Sequence, residues 1–210
     1  MSGGPFPPEW LDVSRETSSD LEAFGQLLVE ENRRQNLVSQ ASLDDLWSRH
    51  IWDSAQLLRF APSASSWIDL GTGAGFPGLI VARLGEARVT LVEVRKLRVE
   101  FLHRAAEILG VQEKVEIHCA KAEALPERRY DVISARAFAP LDKLLTIGSR
   151  FASADTLWLL PKGRNAKSEL EAACASWQGE FRLEPSLTDA DAQIIVARGV
   201  SRREKGKRAR

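Results

Sequence analysis

The chain has 210 residues, a formal net charge of zero and a hydrophobic content of 44%, which suffices for one domain with a substantial core. No apolar run approaches the roughly 18 residues of a membrane-spanning helix, so we expect none. Residues 1–8 lack the basic and apolar regions of a signal peptide, and the two cysteines lack CxxC spacing. These features predict a cytoplasmic protein without membrane attachment and without a structural metal site.

The N-terminal part is predicted to be helical. Residues 1–17 are rich in proline, glycine and serine and are predicted to be irregular, whereas 20–34 carry apolar residues at helical spacing with Ser19 as N-cap. A second helix is predicted to begin at Ser42 and to end before Pro62. We therefore expect a helical extension over residues 18–62.

From residue 63 to residue 200, strands and helices alternate. The predicted strands are 66–70, 88–93, 115–119, 130–135, 155–160, 180–184 and 193–198, and the predicted helices are 77–84, 96–109, 140–151 and 165–177. This alternation indicates an α/β fold, a seven-stranded and mostly parallel sheet with helices on both faces. The connection 185–192 is too short for a parallel crossover, so the last two strands should be antiparallel.

A glycine-rich loop follows the first predicted strand. After Asp69, Gly71, Gly73 and Gly75 alternate with other residues, and Gly78 closes the segment. The segment matches GxGxxG, the dinucleotide fingerprint, but it also resembles the acid-x-G-x-G-x-G motif of S-adenosylmethionine (AdoMet) methyltransferases. An acid is unhelpful beside a pyrophosphate, whereas Asp69 could hold the loop and face the ammonium group of AdoMet. A simple cap of the loop is the alternative role for Asp69.

Other candidate residues follow later strands, whose carboxyl ends meet at one edge of the sheet. Glu93 lies 18 residues after Gly75, where an acid accepts hydrogen bonds from ribose hydroxyls. Arg136 follows the fourth strand, so we expect it to point toward the ligand site. An ordinary surface arginine is the alternative.

Three polar residues share one face of the second predicted helix. His50, Asp53 and Ser54 have the i, i+3, i+4 spacing that places side chains side by side. They could position a substrate base or close over the cofactor. They could equally form a hydrogen-bonded cluster that docks the N-terminal helices.

The C-terminal segment 201–210 contains six basic residues and one acidic residue. Such dense like charge is typical of disordered segments that bind polyanions, and nucleic acid is then the natural partner. A solubilising terminus explains the segment equally well.

Together these motifs resemble one family, the bacterial small-subunit (16S) rRNA guanine-N7 methyltransferases known as RsmG or GidB. The resemblance covers roughly residues 25–165, and its most specific parts are Gly75-Phe76-Pro77-Gly78 and His50-x-x-Asp53-Ser54. It implies a Rossmann-like class I methyltransferase fold over residues 63–200 and AdoMet as the cofactor. The implied substrate is N7 of a specific guanine in a loop of 16S rRNA, in the RNA or in the small ribosomal subunit.

The resemblance also implies site residues. It implies that AdoMet contacts Gly71, Phe76, the backbone at Ala122 and Glu123, and Arg136. The chain departs from the family pattern at Lys96-Leu97-Arg98, where the family usually has adjacent Lys and Arg.

N7 of guanine has a free lone pair at neutral pH, so its methylation needs no general base and we assign no catalytic residue. Catalysis would be mostly positioning, with His50, Asp53 and Ser54 as candidates. We expect RNA contacts from basic residues near the site, namely Arg33, Arg34, Arg95, Lys96, Arg98, Lys162 and Arg164. We also expect a monomer. A methyltransferase acting on a small molecule or another RNA, and a non-catalytic RNA-binding assembly factor, are the alternative functions.

Overall fold

The computed structural model describes residues 7–204. The helices are α1 (Arg15–Gln35), α2 (Gln40–Leu43), α3 (Asp53–Ala55), α4 (Gly78–Leu84), α5 (Lys96–Ile108), α6 (Leu141–Gly148) and α7 (Ala166–Cys174). The strands are β1 (Ser66–Leu70), β2 (Arg88–Glu93), β3 (Val115–Cys119), β4 (Val132–Ser134), β5 (Leu157–Lys162), β6 (Trp177–Pro185) and β7 (Gln193–Arg202). Within residues 7–204, no helix is both long and apolar enough to cross a membrane.

The seven strands form one sheet in the order β3-β2-β1-β4-β5-β7-β6. The strands from β3 to β5 are parallel to their neighbours, whereas β7 pairs antiparallel with both β5 and β6. The predicted fold class and the antiparallel last pair are therefore confirmed. Strand β1 lies between β2 and β4. Strands β2 and β3 extend the sheet on one side of β1, and β4 and β5 extend it on the other side. Ligands bind in open α/β sheets at the point where the strand order reverses in this way.

Alternate residues along the strands face two separate cores. Trp67 and Leu91 pack beneath α4 and α5, whereas Ile68 and Trp158 pack on the opposite face beneath α6 and α7. The first core also contains Phe24 and other apolar residues of α1. The N-terminal helices thus share a hydrophobic core with the sheet, and this burial holds them beside the carboxyl edge.

Two predictions about the N-terminal helices are wrong. Helix α1 begins at Arg15 because Ser14, and not Ser19, is its N-cap and accepts a hydrogen bond from the N–H of Thr17 at 3.1 Å. The second segment is not one helix that starts at Ser42. It consists of α2, which Ser39 caps, a π-helical turn, α3 and a 3₁₀ turn that ends at Phe60. Apolar spacing alone did not reveal these changes of helix type.

The C-terminal strand is longer than predicted. Strand β7 continues to Arg202, whose guanidinium carbon lies 4.9 Å from the centroid of the Trp177 ring. Arg203 donates hydrogen bonds to the backbone carbonyls of Cys174 and Trp177. The first two basic residues of the expected tail are therefore bound to the body of the protein. Residues 205–210 of that tail lie outside the described residues.

Candidate functional site

A cavity of about 970 Å³ opens at the carboxyl edge of the sheet. Its walls come from the glycine loop after β1, the π-helical turn, the loop after β4, the β5–α7 loop and the β6–β7 loop. The volume lies at the upper end of the range of about 300–1,000 Å³ for small-molecule sites. The cavity is therefore the candidate functional site.

The glycine loop has a backbone that other residues rarely adopt. Gly71, Gly73 and Gly75 have φ values of 68°, 60° and 90°, in the left-handed region that favours glycine. A Cβ atom at Gly71 would lie 2.2 Å from Cδ2 of Phe138. The loop therefore presents bare backbone to the cavity, with Phe138 packed directly against it.

Asp69 fixes this loop from within. It is fully buried, and its two carboxylate oxygens accept hydrogen bonds from the N–H of Gly78 at 3.1 Å and from Oγ of Ser134 at 2.7 Å. Ser134 in turn accepts a hydrogen bond from Nε1 of Trp67 at 2.8 Å. Burial raises the pKa of Asp69, and the two hydrogen bonds oppose this shift. Because both oxygens are engaged inside the protein, the geometry favours the loop-holding role over direct contact with a ligand.

Arg136 lines the cavity and is held by three groups of the N-terminal segment. Nη1 donates to the carbonyl of Arg49 at 2.9 Å and lies 3.4 Å from Oδ2 of Asp53. Nη2 donates to Nδ1 of His50 at 2.8 Å. A guanidinium has five N–H donors, so Nε–H and one N–H of Nη2 have no partner among the described residues. These two donors can serve an anionic ligand group.

His50 is stacked on Phe76, with ring centroids 5.0 Å apart and an angle of 19° between the planes. Since a guanidinium can only donate, Nδ1 of His50 accepts and the ring carries its proton on Nε2. Burial, together with the charges of Arg136 and Arg49, lowers the pKa of His50 to about 3. His50 is therefore neutral at physiological pH.

The three polar residues His50, Asp53 and Ser54, in the π-helical turn and α3, do not act as one group. His50 and Asp53 line the cavity, whereas Ser54 is buried and donates to the carbonyl of His50 at 2.6 Å. Asp53 also accepts hydrogen bonds from Gln56 at 2.8 Å and from Thr188 at 3.2 Å. Burial raises the pKa of Asp53, and Arg136 opposes that shift. Asp53 thus both lines the cavity and docks this segment onto the β6–β7 loop.

Glu93 lies at the same edge of the sheet, at the end of β2. Its Oε1 accepts hydrogen bonds from the N–H groups of Val94 and Arg95 at 2.8 and 2.9 Å. Its Oε2 lies 3.6 Å from Nη1 of Arg98. Arg98, which was predicted to contact RNA, therefore lines the cavity beside the glycine loop.

Ala122 and Glu123, which the resemblance implies contact AdoMet, follow β3 at the same edge but do not line the main cavity. Ala122 is the first residue of a short 3₁₀ turn and is buried in the core. Glu123 is exposed, and its carbonyl accepts a hydrogen bond from Arg150.

The remaining predicted RNA contacts differ in accessibility and pairing. Arg33, Arg95 and Lys96 are exposed, and within residues 7–204 none of them forms an ion pair. Other basic candidates are paired with acids: Arg34 with Glu31, Lys162 with Glu169 and Arg164 with Asp191. The side chain of Lys162 is only 11% exposed. The predicted contacts without an ion pair among the described residues are therefore Arg33 on α1 and Arg95 and Lys96 at the start of α5.

Sequence reasoning missed the contribution of the β6–β7 loop, which supplies Ser186, Thr188 and Asp189 to the cavity wall. It also missed that Phe138 packs on Gly71. No local pattern marks these residues, because their partners lie far away in sequence. In the part of the chain that the structure describes, no group of three or more His, Cys, Asp or Glu side chains could hold a metal ion.

Comparisons with known proteins give a consistent result. The family model GidB, rRNA small subunit methyltransferase G, matches residues 17–204. Ribosomal RNA small subunit methyltransferase G of Rhizorhabdus wittichii is 50% identical over 206 residues, which cover 96% of this chain and 95% of that protein. The protein of the same name from Zymomonas mobilis is 50% identical over 201 residues, with 90% of each chain covered.

Solved structures support the fold. An O-methyltransferase from Bacillus cereus, in complex with SAH, has a TM-score of 0.61 at 13% identity, covering 90% of this chain and 93% of that one. A SAM-dependent methyltransferase from Aquifex aeolicus has a TM-score of 0.58 at 17% identity, covering 75% and 95%. At these identities the likeness establishes the class I methyltransferase fold alone.

Proposed function

Because the chain belongs to the rRNA small subunit methyltransferase G family, we propose that it transfers the methyl group of AdoMet to N7 of a guanine in a loop of 16S rRNA. One observation carries the assignment of the site. The glycine loop that Asp69 fixes opens onto the same cavity as Arg136.

The residues at this edge fit AdoMet. The bare backbone at Gly73 lets a ligand approach closely, since the nearest atom to a Cβ there would be Nη1 of Arg98 at 3.7 Å. Oε2 of Glu93 has only a long contact to Arg98 at 3.6 Å, so it can accept from ribose hydroxyls. The two free N–H donors of Arg136 suit the cofactor carboxylate. Phe76 forms a wall of the cavity, and the side chains of His50 and Arg136 pack against its ring.

The chemistry asks for positioning more than for proton transfer. When bound, AdoMet supplies an electrophilic methyl group on a sulfonium. N7 of guanine already carries a lone pair, so the protein has no proton to remove. Orientation of two reactants can contribute about 7–11 kcal/mol. The described residues around the cavity would therefore act by holding the base and the cofactor in line.

The charges around the cavity suit this reaction. N7 becomes positive as the new bond forms, and an uncompensated cation nearby would oppose that change. His50 is neutral, and Asp53 lies 3.4 Å from Arg136 and compensates its charge. The site therefore offers a carboxylate-binding arginine whose own charge is partly balanced by Asp53.

The test is methyl transfer from labelled AdoMet to small ribosomal subunits or 16S rRNA from cells that lack the modification, followed by mapping of N7-methylguanine. We expect Arg136→Gln to lose both AdoMet binding and transfer. Arg83→Gln is the matched control, because its side chain is equally buried (21% against 20% exposed) and pairs with Asp20 away from the cavity. Binding of NAD but not AdoMet, or a methyl group on another atom, would contradict the proposal.

The proposal includes a monomer that acts in the cytoplasm, on the small subunit or its RNA. Analytical ultracentrifugation of the purified protein tests the first part. A stable dimer at micromolar concentration would contradict it.

A further inference from the structure

A second groove lies beside the main cavity, between the C-terminal half of α1 and α2. Its volume is about 610 Å³, and Val29, Arg33, Asn36, Gln40 and Leu43 lie on its walls. The segment 37–39 lines both this groove and the main cavity. A strand of RNA whose target base enters the main cavity would thus have its neighbouring nucleotide within reach of this α1–α2 groove.

Polar side chains at the groove have hydrogen-bonding capacity to spare. Asn36 caps α1 in a left-handed conformation with φ of 48°, and its side-chain amide has no hydrogen-bond partner among residues 7–204. Gln40 donates to Asp44 at 2.9 Å, which leaves its carbonyl oxygen free. Amides both donate and accept, and they therefore suit the edges of unpaired bases.

Apolar atoms at the groove can cover the face of a base. Val29 is 37% exposed on the outer face of α1, and Leu43 lies opposite on α2. A nucleobase has a flat apolar face and a polar edge, so a groove with aliphatic walls and free amides matches its chemistry. A purely aliphatic ligand would leave the amides without hydrogen-bond partners, and a purely anionic ligand would make no use of the aliphatic walls.

The charge around the groove suits a phosphate backbone. Arg33 is exposed and has no acidic partner among the described residues. Gln35 donates to the carbonyl of Leu97 at 3.1 Å, which joins this end of α1 to the start of α5, where Arg95 and Lys96 lie without ion pairs in the described part of the chain. The cations on the other side of the main cavity, Lys162 and Arg164, are neutralised by acids. Of the predicted RNA contacts, those that are exposed and have no ion pair among the described residues, Arg33, Arg95 and Lys96, therefore lie on the groove side.

From these features we infer that the α1–α2 groove binds a nucleotide of the substrate RNA next to the methylated guanine, with Arg33 on its phosphate and Asn36 on its base edge. This inference rests on the proposed function for the identity of the RNA. It adds a binding site that lies outside the cofactor cavity, and it predicts that RNA enters across α1 and not across α7.

A steric pair of variants tests the groove. Val29→Trp should fill it and weaken binding of protein-free 16S rRNA by about tenfold, since loss of one packed base has effects of this order. Ile108→Trp is the control, because Ile108 is equally exposed (36%) and lies at the far end of α5. The affinity for AdoMet, measured by calorimetry, should stay at the wild-type value in both variants.

A charge pair tests the phosphate contact. Arg33→Glu should weaken RNA binding and reduce the slope of log affinity against log salt by about one. Arg88→Glu is the control, because Arg88 is an exposed arginine at the start of β2, on the opposite edge of the sheet.

RNA binding and methyl transfer are read separately, so the two proposals can fail independently. Selective loss of RNA affinity in Val29→Trp and Arg33→Glu supports the groove even if the methylated atom is not N7. If both variants bind RNA as tightly as their controls, the groove is not an RNA site, whether or not the protein methylates.

Discussion

The Nη2 group of Arg136 donates a hydrogen bond to Nδ1 of His50 at 2.8 Å, which couples the loop after β4 to the π-helical turn. A histidine serves here where a carboxylate would be the usual partner of an arginine. Because His50 accepts without carrying charge, it orients the guanidinium and leaves its positive charge available for an anionic ligand group. Asp53 already supplies one compensating carboxylate at 3.4 Å.

The first prediction concerns His50→Phe. The phenyl ring can keep the stacking on Phe76 but offers no acceptor to Arg136. Hydrogen bonds to charged groups contribute about 1.5–3 kcal/mol, so we expect the affinity for AdoMet to fall roughly tenfold or more, as measured by calorimetry. Ser54→Ala is the control, because Ser54 lies one turn away and outside the cavity. An unchanged affinity in His50→Phe would show that this hydrogen bond does not position Arg136.

The second prediction concerns pH. Unfolded His50 takes up a proton below about pH 6.5, whereas in the folded protein burial keeps its pKa near 3. Between these values the unfolded state binds more protons, so the contribution of His50 to stability falls as the pH falls, by about 1.4 kcal/mol per pH unit.

The measurement is the free energy of unfolding of the wild type and of His50→Phe between pH 7 and pH 4. The raised pKa values of Asp53 and Asp69 act in the opposite direction, and both proteins contain these groups. The difference in the free energy of unfolding between the two proteins therefore isolates His50. As the pH falls, the wild type should lose stability relative to His50→Phe. A difference that does not vary with pH would mean that His50 titrates normally.

The sequence predicted the local elements better than the contacts between them. The bounds of β1, β2 and β3 match their predictions because short apolar runs between turn residues define a buried strand. Strand β6 runs from Trp177, three residues before its predicted start, because its exposed face carries little periodic signal.

For the candidate site, too, the sequence predicted local positions better than long-range contacts. The carboxyl-edge rule correctly placed Arg136 and the glycine loop at one cavity. It could not reveal the hydrogen bond between Asp53 and Thr188, which are 135 residues apart. Nor could it reveal that Arg98 points into the cavity, since one turn of helix decides whether a cation at the start of α5 faces solvent or the glycine loop.

The third prediction separates the loop-holding role of Asp69 from a general loss of stability. Asp69→Asn leaves either the Gly78 N–H or the Ser134 hydroxyl facing an amide NH₂, and a buried donor without a partner costs about 1–3 kcal/mol. We expect lower stability in thermal unfolding and weaker AdoMet binding. Asp131→Ala is the control, because one oxygen of Asp131 accepts from the N–H groups of both Ser65 and Ser66 at the opposite edge of the sheet, and alanine removes that acceptor. It should lose stability without losing affinity, and equal losses of affinity would argue against the role of Asp69.

The fourth prediction concerns the contact between Gly71 and Phe138. In Gly71→Ala the new Cβ would lie 2.2 Å from Cδ2 of Phe138, and the positive φ of 68° would add about 1–2 kcal/mol of strain. We expect a marked loss of AdoMet affinity by calorimetry, because the clash is relieved only if the loop or the ring of Phe138, which both line the cavity, moves. Gly110→Ala is the control, since Gly110 has a similar φ of 64°, a Cβ there meets nothing within 4 Å, and it does not line the cavity.

The double variant Gly71→Ala/Phe138→Ala identifies which of the two causes dominates. Removing the phenyl ring abolishes the clash but leaves the backbone strain, so the double variant should recover part of the affinity lost by Gly71→Ala. The part of the AdoMet affinity that is not recovered should correspond to the strain of the left-handed φ at position 71. If Phe138→Ala restores nothing, the backbone conformation alone dictates glycine at position 71. If it restores wild-type affinity, the contact with Phe138 is the whole reason that the loop needs glycine there.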